Sequence, residues 1–258
     1  MRRILVKKFE LGLFEHPFTD RRHLDEVGSP AHRALARRAV SESQVLLKNR
    51  GKVLPLSGRE KIYVAGSNAD DIGNQAGGWT VAWQGLSGNT ILEGIRQVAP
   101  DAQVTFSEDA SAPTAGNDVG VVVVGETPYA EGFGDVGGPL WQDNGVPREP
   151  KTMRLNAADR AAVDRVCGSI ADCVVVVVSG RPMIVTDQLA EMDALVAAWL
   201  PGSQGEGVAD VLFGQRPFTG RLSMTWPRTL EQEPINVGDR DYHPLFPYGY
   251  GLHTRPMT

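Results

Sequence analysis

The chain has 258 residues, 41% of them apolar and 22% charged, with a formal net charge of -5. That length is enough for one large domain or two small ones with a substantial core. The acidic balance offers no basic stripe for nucleic acid, and no apolar run in the sequence is long enough to predict a membrane span.

The first residues, MRRILVKKFELGLFEHPF, alternate charged and apolar groups and lack the continuous apolar core and small-residue cleavage site of a secretory signal. Residues 1–14 read as an amphipathic helix ending near Gly12, and residues 15–29, with Pro17 and Gly28, as a linker. Ser29 suits an N-cap and Pro30 the first turn of a helix that runs through AHRALARRAVSESQVLLKN. Beyond Gly51 strands and helices alternate. Lys61–Gly66 is a strand, Thr90–Val98 a helix, Gln103–Phe106 a short strand and Val119–Val124 a central strand interrupted only by Gly120. The stretch from Gly137 to Lys151, with Trp141, reads as a long loop. Asn156–Ser169 is a helix, Cys173–Val178 a strand, Val185–Met192 a helix after Pro182, Ala194–Trp199 a strand and Gly205–Phe213 a helix. Continuous valine runs belong to strands covered on both faces. Repeated strand–helix units imply mostly parallel pairing with right-handed crossovers. The predicted fold class is α/β, a three-layer αβα sandwich on a mostly parallel sheet of about five or six strands.

Parallel strands would gather their carboxyl-end clusters on one rim: Gly66-Ser67-Asn68, Gly125-Glu126, Ser179-Gly180-Arg181-Pro182 and Leu200-Pro201-Gly202-Ser203. The segment after the central strand, GETPYAEGFGD, holds Glu126, Glu131 and Asp135 beside Tyr129. A glutamate on a rim, shielded by an aromatic ring, can hold a proton near neutrality and act as a general acid. Both glutamates read equally as solvated acids, and Asp135 as a turn residue. Trp79 and Trp83 stand four positions apart among glycines. An indole can stack on a sugar's C–H face while its N–H binds the rim, and the same pair reads as packing residues. Cys167 and Cys173 are compatible with a disulfide or with two thiols. Five scattered histidines and two cysteines give no ligand spacing, so no metal is expected. The glycines after the first strand match neither the Walker pattern nor the dinucleotide fingerprint, so no nucleotide or other cofactor is expected.

Taken together, RILVKKFELGLFEHPF, AHRALARRAVSESQVLLKN, GGWTVAWQG, VVVVGETPYAEGFGD, VSGRPMIV, ALVAAWLPGSQGEGVADVLFG, FTGRLSMTWP and PLFPYGYGL resemble the C-terminal part of family 3 glycoside hydrolases, the β-glucosidases and exo-β-glucanases. The resemblance covers nearly the whole chain in order. It implies that residues 1–14 are the remnant last helix of a (β/α)8 barrel, 15–29 the connection and 30–258 the α/β sandwich. It implies a retaining, exo-acting enzyme on β-linked glucosides or gluco-oligosaccharides, and an exported enzyme, periplasmic or secreted, is compatible with it. Glu131 matches the acid/base glutamate, Trp79 and Trp83 the aromatics on the departing-sugar side, and Glu126 no catalytic position. The insertion after Asp135 departs from the shorter family loop. The nucleophile aspartate belongs to the family's barrel, and no segment here matches its motif. The expectation is therefore a fragment, catalytically incomplete alone, whose partner is the missing barrel domain. The alternative is a non-catalytic carbohydrate-binding or partner-binding α/β domain.

Overall fold

In the computed structural model the described residues are 1–77, 86–127, 138–143, 146–148 and 151–255, the two short stretches between 138 and 148 by backbone alone. They form two compact units, Met1–Leu35 and Ala36–Thr258.

In the smaller unit, α1 spans Arg2–Glu10 with Lys7 and Lys8 in its last turn, where cations complement the helix dipole. None of its side chains is buried. Apolar groups stand open to solvent along the unit, among them Ile4, Phe9, Leu11 and Phe18. The expected start at Ser29-Pro30 is present: α2 runs Pro30–Ser43, and the Ser29 hydroxyl accepts from the His32 N–H at 3.3 Å.

The larger unit is built on β1 (Val45–Asn49), β2 (Lys61–Ala65), β3 (Gln103–Phe106), β4 (Val119–Gly125), β7 (Asp172–Val178) and β8 (Ala194–Trp199), in the order β1-β8-β7-β4-β2-β3. A separate antiparallel pair joins β5 (Gly138–Asp143) to β6 (Val146–Arg148). The helices are α3 (Ile72–Ala76), α4 (Ile91–Val98), α5 (Ala157–Cys167) and α6 (Glu206–Leu212). Strands β3, β2, β4, β7 and β8 pair in parallel, and β1 alone runs antiparallel on β8. Taken by order in the chain, the five parallel strands lie 2-1-3-4-5. That is a doubly wound order, whose switch point falls between the carboxyl ends of β2 and β4.

The valines alternate between two cores. Ile62, Val64, Val121, Val123, Val174 and Val176 meet Ile91, Leu92 and Ile95 of α4 and Val208, Val211 and Leu212 of α6. On the other face Tyr63, Val122, Val124, Val175 and Val177 meet Ala162, Val163 and Val166 of α5 together with Leu222 and Trp226. Each such valine, leucine or isoleucine, withdrawn fully from water, contributes about 1.5–3 kcal/mol. Among the described residues the two largest fully buried aromatics satisfy their polar ends: the Tyr63 hydroxyl donates to the Ala112 carbonyl at 2.8 Å and the Trp226 indole N–H to the Met183 carbonyl at 2.8 Å.

Three sequence expectations change. The helix of residues 30 onward stops at Ser43, and Val45–Asn49 is a strand. Val45 and Leu47 enter one core and Leu46 the other, a two-sided burial that period 2 permits and a helix surface does not. The helix expected over Val185–Met192 is a run of turns. Ile184 is drawn into an extended bridge, its N–H donating to the Met153 carbonyl at 2.7 Å, and Pro182 precedes this bridge rather than a helix. The remaining span is closed by i to i+3 bonds such as Leu189 N–H to the Thr186 carbonyl. Finally, the loop expected over Gly137–Lys151 contains the β5–β6 pair.

Candidate active site

Three strand ends step onto their neighbours at the carboxyl rim. The Asn68 N–H donates to the Val123 carbonyl at 3.1 Å, the Glu126 N–H to Val178 at 3.0 Å and the Ser179 N–H to Trp199 at 3.0 Å. The crossings leave no room for a side chain at the bends. A Cβ on Gly66 would stand 2.1 Å from the Val123 carbonyl oxygen, and one on Gly125 1.8 Å from that of Val178. Glycine at these two positions is what lets the backbone pass this close.

At the switch point, Asp159 in the first turn of α5 is buried and accepts from Ser67 N–H at 3.1 Å, Ser67 Oγ at 2.9 Å, Asn156 Nδ2 at 3.0 Å and Gly125 N–H at 3.4 Å. Burial raises its pKa above the usual carboxylate value, against the opposing pull of these hydrogen bonds. Asn156 caps the helix by accepting the Asp159 N–H at 2.8 Å. One carboxylate thus ties the β2 end, the β4 end and α5 together.

Glu126 is buried too, at 7% exposure, which excludes its reading as a solvated acid. Its Oε1 accepts from Arg181 Nη2 at 2.6 Å and both oxygens from Arg181 Nε at 3.1 Å, while Oε2 accepts from Ser179 Oγ at 2.8 Å. The next residue, Thr127, receives Lys151 Nζ on its carbonyl at 2.9 Å and on its hydroxyl. A cavity of about 310 Å³ opens here, lined by Glu126, Thr127, Lys151, Arg154, Asn156 and Arg160 among others.

The tryptophan segment is held at both feet. Before it, Gln75 Nε2 donates to the carbonyls of Asn89 at 2.9 Å and Gly202 at 2.6 Å. After it, the Asn89 N–H donates to Ser203 at 3.0 Å, and Thr90 caps α4 in a reciprocal capping box with Glu93. Gly202 and Ser203 follow β8, so these feet belong to the same carboxyl rim as the Glu126 loop.

Glu131, Trp79 and Trp83 lie outside the described residues, as do Tyr129 and Asp135. The structure describes the approaches to them. Sequence reasoning placed Arg181 on the rim without a chemical role and did not single out Lys151 or Asp159. The available signal was a cation directly after a buried strand, in VSGRPM, where parallel pairing sets it beside Glu126. Among the described residues no cluster of histidine, cysteine or acids could hold a metal, and no helix is long and apolar enough to cross a membrane.

A doubly wound sandwich whose glycine-bent strand ends feed GETPYAEGFGD defines a class: the chain belongs to glycosyl hydrolase family 3, whose C-terminal domain matches residues 44–254. Individual relatives agree. The lysosomal β-glucosidase of Dictyostelium discoideum is 31% identical over 98% of this chain and 33% of its own length. The solved exo-1,3/1,4-β-glucanase ExoP from a Pseudoalteromonas species is 39% identical with a TM-score of 0.75, over 90% of this chain and 30% of that one. The β-glucosidase from Listeria innocua, solved in complex with glucose, is 29% identical with a TM-score of 0.78, over 97% of this chain and 37% of that one. The chain therefore spans about a third of the length of these relatives.

Proposed function

We propose that this chain is the acid/base half of a retaining, exo-acting β-glucosidase or β-glucan glucohydrolase that removes terminal β-D-glucosyl residues. The observation that carries the reading is the rim itself: β4 delivers the segment bearing Glu131 from the switch point of a family 3 sandwich. Residues 1–14 are read as the last helix of a barrel, 15–29 as its connection and 30–258 as the sandwich. Relatives named for β-glucosidase and exo-β-glucanase activity support terminal β-glucosides as substrates.

In this reading an aspartate of the barrel attacks the anomeric carbon while protonated Glu131 gives its proton to the leaving glycosidic oxygen. Glu131 then removes a proton from the incoming water, and the glycosyl–enzyme ester is cleaved with net retention. Trp79 and Trp83 flank the departing sugar, Trp83 as the clamp. Acid assistance of this kind contributes about 10²–10⁴-fold.

The test is Glu131→Gln in the enzyme that contains this domain. Hydrolysis of glucosides with poor leaving groups should fall by about that factor, activated aryl glucosides should be cleaved far less impaired at the glycosylation step, and azide should restore turnover by replacing the base-assisted water. Equal losses on both substrates without azide rescue would remove Glu131 from the role. Trp83→Ala should weaken binding of gluco-oligosaccharides more than of glucose, read by calorimetry; unchanged oligosaccharide affinity would exclude the clamp.

A further inference from the structure

We infer that Arg181, held by Glu126 and Ser179, is a positioning residue for the acid/base step; this rests on the reading of Glu131 as the acid. The chain leaves the sheet at Gly125, and the Glu126 N–H is fastened to the next strand through the Val178 carbonyl at 3.0 Å. The Glu126 side chain turns toward the loop after β7, where the Arg181 guanidinium engages it at 2.6 and 3.1 Å and the Ser179 hydroxyl at 2.8 Å. Ser179 Oγ also accepts the Arg181 backbone N–H at 3.2 Å, so the cation's own loop is braced by the hydroxyl that braces the carboxylate. The side chains are 17% and 5% exposed for Arg181 and Glu126.

One residue on, Lys151 Nζ binds the Thr127 carbonyl at 2.9 Å. Thr127 is the last described residue before Glu131, and Lys151 lies ahead of α5. The residues that border 128–150 are therefore joined to each other next to the buried Glu126–Arg181 pair. Glu131 is four residues beyond Thr127, and four extended residues reach about 14 Å. Proton transfer needs heavy atoms within about 2.6–3.2 Å, a tolerance far smaller than that reach. Apolar replacement of a buried ion pair often leaves stability unchanged or improved. What a planar guanidinium fork adds is direction.

The decisive experiment measures kcat and KM of the enzyme containing this domain on an alkyl β-glucoside and on 2,4-dinitrophenyl β-glucoside. The variants are Arg181→Met, Arg181→Lys and the neutral pair Glu126→Gln with Arg181→Met, which leaves no buried charge unpaired should a single variant fail to fold. The expected result is a roughly 10–100-fold loss of kcat on the alkyl glucoside, little change in KM and less than about threefold loss on the activated substrate. Arg181→Lys, which keeps the charge and loses the fork, should lie between wild type and Arg181→Met. Equal losses on both substrates, or full activity of a folded neutral pair, overturn the inference. Glu131→Gln in the same assay separates the two readings. If it shows the leaving-group signature and the Arg181 variants do not, the positioning role alone fails; if it shows none, the acid/base reading fails and takes this inference with it.

Discussion

Asp159 accepts hydrogen bonds from Ser67, Gly125 and Asn156 with its carboxylate nearly sealed from solvent. Asp159→Asn replaces an acceptor by an amide that faces donors, and should cost about 1–3 kcal/mol in urea unfolding. The pH dependence has a definite sign. Because burial raises the native pKa, the folded state binds this proton more tightly than the unfolded state. The group's contribution is fully present below the ordinary carboxylate pKa and is lost as pH rises through the raised native value. The deficit of Asp159→Asn against wild type should therefore be larger at about pH 4 than at about pH 7; a deficit that grows toward pH 7 would contradict the raised pKa. At this scale the sequence was only partly legible. Glu126 and Glu131 carry the same side chain on one segment, and spacing cannot separate them. What separates Glu126 is an arginine 55 positions away, brought alongside by strand pairing.

Gly120 interrupts the valine run of β4 for a reason found one layer away: a Cβ there would lie 2.3 Å from Val166 Cγ1 of α5. Gly120→Ala should push α5 off the sheet and cost about 1–3 kcal/mol by overpacking. Denaturation with unchanged far-UV circular dichroism would show it, and an unaltered midpoint would mean α5 shifts freely. The valine strands themselves were legible, because an unbroken β-branched run has few other uses. β1 was not. VLLKN follows a genuine helical pattern without a glycine or proline between, and only pairing with β8 turns it into a strand. The apolar spacing of Val185, Leu189 and Met192 likewise fits a helix, yet the chain enters it extended at the Ile184 bridge and closes in turns.

Across the whole molecule, Cys167 and Cys173 are joined, linking the end of α5 to the start of β7. Replacing both by serine should lower stability by about 2 kcal/mol, the loop-closure entropy of so short a ring. The reading is the urea midpoint, and a reduced wild type should match the double variant. In the proposed reading, function at this scale depends on a second carboxylate supplied by a barrel. Two-carboxylate hydrolysis by this chain alone is expected to be absent, so release of p-nitrophenol from its β-glucoside should stay at background. A rate abolished by Glu131→Gln in the isolated chain would contradict the assignment of the nucleophile to a barrel.

The amino-acid sequence by itself determined the valine strands, the parallel α/β class and the family, because side-chain periodicity and ordered motifs are properties of neighbouring residues. The tertiary structure alone decided that Val45–Asn49 is a strand, that the two cysteines pair and that Glu126 belongs to Arg181. Each of these depends on which distant segment covers a face or meets a charge, and that is set only when the sheet assembles.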